Sequence, residues 1–234
     1  MSYEADAHKA QMKMLRMVLL APDASFAALQ KTAGLESDAA NFHIKQLVIA
    51  GYVAKNEAGR YALTRDGKEY ANRMDTDENV IEKQPKLSVA LIIENQDGLF
   101  LAQQRLKHPY FGFWGRPTGK IRWGETIEQA AARELMEETG LTATLTAKGL
   151  YHKIDTVRGS GELLEDKYFC IVHGINPHGA LLAKAEGHEN AWLSNDEIMS
   201  KEQVFGSVPE ITALARGEHF GFMEHSYEYD RAEY

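Results

Sequence analysis

The chain has 234 residues, 44% of them hydrophobic and 26% charged, with a net charge of −8 and one cysteine. That is enough material for one large domain or two small ones with cores of their own. No run approaches the ~18 apolar residues that a bilayer-spanning helix needs, and no signal peptide is read at the start. Cys170, in the apolar run YFCIV, cannot form an internal disulfide, which suits a reducing cytoplasmic setting and a buried strand position.

Charge is shared unevenly. Residues 1–74 hold 10 Lys/Arg against 8 Asp/Glu, a net of +2, so residues 75–234 carry −10, which points to two parts with different partners. In the first part, Met12, Leu15, Met17, Val18 and Leu19 predict a helix that ends near APDAS. Ser25 can cap a second helix, FAALQKTAG, closed by Gly34. A third, opened by Ser37 or Asp38, is predicted to bury Phe42, Ile44, Leu47 and Val48, to expose Asn41, His43, Lys45 and Gln46, and to end at Gly51. YVAKNEAGRYALT then reads as two short strands turning at Gly59, followed by a helix over RDGKEYANRM.

This order, three helices, a two-stranded wing and a helix, resembles the winged helix-turn-helix domain of MarR- or PadR-type regulators. The resemblance implies a homodimer that binds DNA, with the third helix in the major groove. Asn41, His43, Lys45 and Gln46 would then face bases or phosphates, and Lys55 and Arg60 would lie on the wing. The net of +2 is a weak electrostatic footprint for such a role, so protein–protein use of the same fold stays open.

DTDENVIEKQPK, polar and broken by Pro85, reads as a linker, which sets domains at 1–75 and 87–218 around residues 76–86, with a tail at 219–234. After it, LSVALIIEN and LFLAQQR read as strands joined at QDG. Further strands are expected at ATLTAKGLYHKIDTV, DKYFCIVHGI and NAWLS, and helices from Asp196 and Ser207. The aromatic tail EHFGFMEHSYEYDRAEY shows no period. The expected architecture is α+β overall, with a mixed sheet between helices in the second part.

GKIRWGETIEQAAARELMEETGL, Gly119 to Leu141, holds the chemistry. Glu134, Glu137 and Glu138 fall at i, i+3 and i+4, crowding one helix face close to its negative C-terminal end. Hard divalent cations bind such carboxylates, so a metal supplies the missing counter-charge. Gly119, Glu125, Arg133-Glu134-Leu135, Glu137-Glu138 and Gly140-Leu141 match the Nudix box at every defined position. Chance agreement at nine set positions is on the order of one in a million or rarer, given ~7% frequencies for such residues.

The resemblance implies a Nudix α/β/α sandwich in which Glu134, Glu137, Glu138 and the Gly119 carbonyl hold Mg²⁺, or Mn²⁺. Glu125 and Arg133 would orient the first carboxylate, and Ala130 to Ala132 would seat the helix closely. The implied reaction is hydrolysis of a diphosphate linkage in a nucleotide, ADP-ribose or sugar nucleotide, with Glu134 as base. KAEGHENAW resembles the loop that supplies an auxiliary acidic ligand, here Glu186, and Arg105 resembles the strand arginine that reaches the nucleotide in MutT-type enzymes. Thr118 stands where many members have a glycine. Tyr110, Phe111, Phe113 and Trp114 are candidates for stacking on a base or for packing. Three readings follow: a hydrolase with an accessory winged helix, a nucleotide-sensing regulator, and a binding module without turnover, against which the intact box argues.

Overall fold

Two compact units, Met1–Gln84 and Pro85–Tyr234, make up the computed structural model, which describes residues 9–75, 77–78 and 80–234. The first unit contains α1 (Lys9–Leu20), α2 (Phe26–Ala33), α3 (Ser37–Ile49), β1 (Val53–Lys55), β2 (Tyr61–Leu63) and α4 (Arg65–Ala71). Ser25 caps α2 by accepting from the Ala28 N–H at 3.2 Å, and Gly34 closes it at φ 69°. Thr64 caps α4, whose Gly67 packs so closely on the hairpin that a Cβ there would meet the Tyr52 carbonyl oxygen at 1.8 Å.

α3 departs from expectation. Its cap position is Glu36, with no side-chain cap, and only Ala40, Ile44 and Leu47 are buried, against Leu15, Leu29 and Val53. Phe42 and Val48 are exposed and His43 is half-buried. The helix packs on one narrow stripe, so Phe42, two residues before Ile44, and Val48, next to Leu47, turn outward. Arg60, in the turn before β2, is engaged by Asp23, whose carboxylate and carbonyl both accept from its Nε, at 2.8 and 2.7 Å.

Within the expected linker, β3 (Met74–Asp75) pairs antiparallel with β4 (Val80–Ile81); Thr76 and Asn79 lie outside the described residues. The second unit follows with β5 (Lys86–Ile93), β6 (Phe100–Arg105), β7 (Trp114–Gly115), β8 (Thr118–Lys120), α5 (Ile127–Thr139), β9 (Leu141–Val157) and β10 (Leu163–Gly179). It ends with β11 (Lys184–Ala185), β12 (His188–Leu193), α6 (Asn195–Met199), α7 (Val208–Arg216), β13 (Gly221–Tyr229) and a 3₁₀ turn at Arg231–Glu233.

A mixed five-stranded sheet runs β13-β9-β10-β5-β8, and a four-stranded antiparallel sheet runs β11-β12-β6-β7. Period-two alternation in β5 builds the layers. Val89, Leu91 and Ile93 pack with Ala130, Ala131 and Leu135 of α5, while Ala90 and Ile92 pack with Ile211, Leu214 and Ala215 of α7. The 219–234 tail contains a strand after all: β13 pairs parallel with β9 from Gly221↔Gly149 to Tyr229↔Val157. It lies at the sheet edge, with Met223, Tyr227 and Tyr229 turned inward and Phe222, Glu224 and Glu228 exposed. Among the described residues no helix is long and apolar enough to cross a membrane.

Candidate functional site

α5 is fixed at both ends. Thr126 and Gln129 form a capping box, the Gln129 N–H donating to Thr126 Oγ1 and the Thr126 N–H to Gln129 Oε1, and Gly140 ends the helix at φ 72°. A Cβ at 140 would also sit 2.9 Å from the Ala180 carbonyl oxygen. Ala130 and Ala131 lie against the sheet, but Ala132 is exposed, since it points a third of a turn further round the helix.

β8 pairs with β5 so that Gly119 lies opposite Val89, and Glu134 comes down directly on it. A Cβ on residue 119 would fall 2.0 Å from Glu134 Cδ and 2.3 Å from its Oε2. Arg133 ties the arrangement together. Its Nε and Nη2 donate to the two oxygens of Glu125, at 2.5 and 2.8 Å, and its Nη1 donates to Glu134 at 2.7 Å and Glu137 at 3.1 Å. Nη2 also reaches the Lys120 carbonyl. Arg122 adds a second cation to Glu137, at 3.2 Å, and its backbone N–H donates to Glu125.

The electrostatics follow from these contacts. The hydrogen bond from Arg133, with that from the Arg122 N–H, holds the Glu125 carboxyl down at about 2. Burial pushes Glu134 above the usual carboxylate range, against the pull of Arg133 and with help from Glu138 and Glu137. Glu138 Oε2 accepts from Gln103 Nε2 at 3.0 Å, and the Glu138 carbonyl accepts from His188 Nε2 and Asn190 Nδ2, both at 2.9 Å. Gln103, His188 and Asn190 were not singled out from the sequence, where nothing marks β6 and β12 as neighbours of the end of α5.

Other candidates lie further out. Glu186 is exposed in the turn between β11 and β12, two residues before His188. Arg105 ends β6 with its Nε–H on the Pro109 carbonyl, 2.9 Å away. Tyr110 and Phe113 are buried with Tyr229, next to Phe205, so they pack rather than offer a free base platform; Phe111 is exposed. Asn41 and Lys45 are exposed on α3, Gln46 and His43 half-buried.

Among the described residues no three His, Cys, Asp or Glu side chains already stand in metal-ligating geometry. The donor set nonetheless fits a hard divalent cation. Glu134 and Glu137 both touch one nitrogen of Arg133, so the position already collects carboxylate oxygens around positive charge, and all the donors are oxygen.

The NUDIX domain family model matches residues 84–214, and the chain belongs to that family. It is 30% identical over 126 residues to the CTP pyrophosphohydrolase of Escherichia coli strain K12, covering 54% of this chain and 88% of that one. With the 8-oxo-dGTP diphosphatase of Proteus vulgaris it shares 40% identity over 63 residues, 27% of this chain and 56% of that protein. With the ADP-ribose pyrophosphatase of Methanocaldococcus jannaschii it shares 35% over 85 residues, 35% of this chain and 50% of that one. The chain thus spans about half the length of these last two relatives. A crystal structure of a MutT protein from Bacillus halodurans shares the fold, with a TM-score of 0.51 at 21% identity, over 61% of this chain and 90% of that one.

Proposed function

We propose that this chain is a Nudix pyrophosphohydrolase that uses Mg²⁺, or Mn²⁺, to cleave a phosphoanhydride bond in the diphosphate linkage of a nucleoside diphosphate derivative. The observation that carries the reading is the stack of Glu134 on Gly119, held by Arg133 and through it by Glu125. That contact requires a residue without a Cβ at 119 and places a carboxylate against the metal-loop backbone. The names of the relatives, all diphosphate-cleaving enzymes, support the same class.

In this reading Glu134, Glu137, Glu138 and the Gly119 carbonyl hold the metal, with Glu186 as an auxiliary ligand from the β11–β12 turn. When bound, the ion neutralises the diphosphate and acidifies the attacking water. Glu134 would take the proton from that water. Arg133 orients Glu134, and Gln103 orients Glu138. Arg105 contacts the nucleotide. The first unit we read as an accessory winged helix. Its α3 carries one basic residue, Lys45, beside exposed Phe42 and Ile49, and Arg60 is spent on Asp23, which favours this over a DNA-reading role.

The test is phosphate or nucleoside monophosphate release from a panel of nucleoside triphosphates, ADP-ribose, dinucleotides and nucleotide sugars with Mg²⁺ and with Mn²⁺. Turnover of at least one compound, abolished by EDTA, is expected. Absence of turnover with either ion, or turnover indifferent to EDTA, removes the proposal.

A further inference from the structure

Beside the acids lies a cleft of about 70 Å³, lined from both sheets and from the start of α7. Two of its lining residues join it to the metal loop. Thr118 directly precedes Gly119, and Gln103 donates to Glu138. The cleft is cationic: Arg105, Arg116, Lys153 and Lys167 line it, against the single acid Glu165.

Pairing does not remove that excess. Glu165 is shared by Lys167 and Lys86, and Lys153 is matched by Asp155, which also accepts from the Tyr110 hydroxyl at 2.7 Å. Among the described residues neither lining arginine has a carboxylate on it. Arg105 donates to the Pro109 carbonyl. Arg116 donates to the Leu101 carbonyl at 3.4 Å, Asn195 Oδ1 at 2.6 Å and Thr212 Oγ1 at 3.2 Å, all neutral.

Arg116 is only 5% exposed, and its Nε–H has no partner. Burial lowers its guanidinium to about 10, which still leaves it charged at neutral pH. Glu94, whose charge favours the Arg116 cation, is itself bound by Arg216 at 2.5 Å. A buried cation with neutral partners and an unmade hydrogen bond is costly unless an anion completes it. A cleft of one sign concentrates ligands of the other, and this one lies in a unit whose residues 85–234 sum to −7.

Resting on the hydrolase reading above, we propose that this cleft takes a second anionic group of the substrate, a phosphomonoester on the moiety beyond the scissile diphosphate. The preferred substrates are then nucleoside diphosphate derivatives that carry a further phosphate. Two uncompensated arginines match the double charge of a phosphomonoester, and guanidinium and ammonium donors are the groups that bind it. An uncharged base in the same place would leave both arginines without an anion. The scissile diphosphate belongs with the metal on α5.

The experiment compares kcat/KM of the full chain with Mg²⁺ on two pairs that differ by one phosphomonoester: NADH with NADPH, and dephospho-coenzyme A with coenzyme A. In at least one pair the phosphorylated member is expected to be preferred by about tenfold or more, mainly through KM, which is ~1.4 kcal/mol. In Lys167→Gln, and separately in Arg105→Gln, that ratio should fall toward one. A ratio of two substrates on one protein is insensitive to general loss of fold or metal.

Ratios near one in both pairs, or a preference that neither substitution lowers, overturn the proposal. So does hydrolysis of ADP-ribose or a nucleoside triphosphate with none of the four compounds turned over, a result that leaves the hydrolase reading standing. If nothing at all is hydrolysed, the hydrolase reading fails instead. Calorimetric titration of NADP⁺ and NAD⁺ into the metal-free chain then decides the anion site: tighter NADP⁺ binding upholds it, and equal binding overturns it.

Discussion

α3 and α5 each run thirteen residues and each bury an apolar stripe, yet they are held very differently. α5 has a capping box at one end, a left-handed glycine at the other, and His188 and Asn190 on the carbonyl of Glu138. Its polar face is an ion-pair network centred on Arg133. α3 has no side-chain cap and turns Phe42, Val48 and Ile49 outward. A helix that must hold three acids within about a turn needs support on every side, because like charges and the helix dipole both oppose it. A helix under no such demand can be seated by one stripe.

The sharpest way to test that contrast is to remove one of the acids. Glu138→Gln keeps the shape and the link to Gln103 but loses a charge that the proposed metal site uses. Turnover should fall several hundredfold or more, on the order of 3–4 kcal/mol of transition-state stabilisation. Glu138 also helps to raise Glu134, so the metal-free variant should melt no lower than the metal-free parent. Full activity, or a clear drop in that melting temperature, would contradict the role given to the acids.

Gly119→Ala attacks the same geometry from the loop. Its Cβ would overlap Glu134, so the carboxylate must move. An ångström-scale displacement of a catalytic group costs about a hundredfold in rate, and kcat should fall by that order while the variant stays folded by circular dichroism. Parent-like kcat in Gly119→Ala would mean that the contact is incidental.

A smaller effect is expected in the pH dependence of stability. Arg133 and the Arg122 N–H hold Glu125 at about 2 in the folded chain, against an ordinary value of 4.5. Between those values the unfolded chain binds more protons than the folded one, so stability rises with pH there. The contribution is complete above the ordinary value and is lost as pH falls through the folded one. The gap in melting temperature between parent and Glu125→Gln should be steady above about pH 5 and close toward about pH 2. A gap that does not narrow on acidification would break the pairing argument.

The smallest effect is predicted on α3. Ile49 is 77% exposed, and exposed substitutions away from special features usually stay within about 0.5 kcal/mol. Ile49→Ser should therefore leave denaturant midpoints almost unchanged, whereas Leu135→Ala in the buried stripe of α5 should cost about 2–5 kcal/mol. A large loss from Ile49→Ser would show that α3 is covered by something in solution.

The sequence by itself determined what depends on neighbours along the chain. The extent of α5, its closure at Gly140 and the shared face of Glu134, Glu137 and Glu138 follow from helical spacing and capping, which a short window contains. The bridge from Arg133 to Glu125 is legible in the same window only through the family resemblance. Tertiary structure decided whatever joins distant segments. Pairing of β12 with β6 brings His188 and Asn190 to the end of α5, and β13 enters the sheet beside β9 although its own sequence shows no period. Strand order also leaves Arg116 buried among neutral partners. Which way Phe42 and Val48 face depended likewise on what packs against α3, because periodicity defines a stripe but the neighbouring elements set its width and direction.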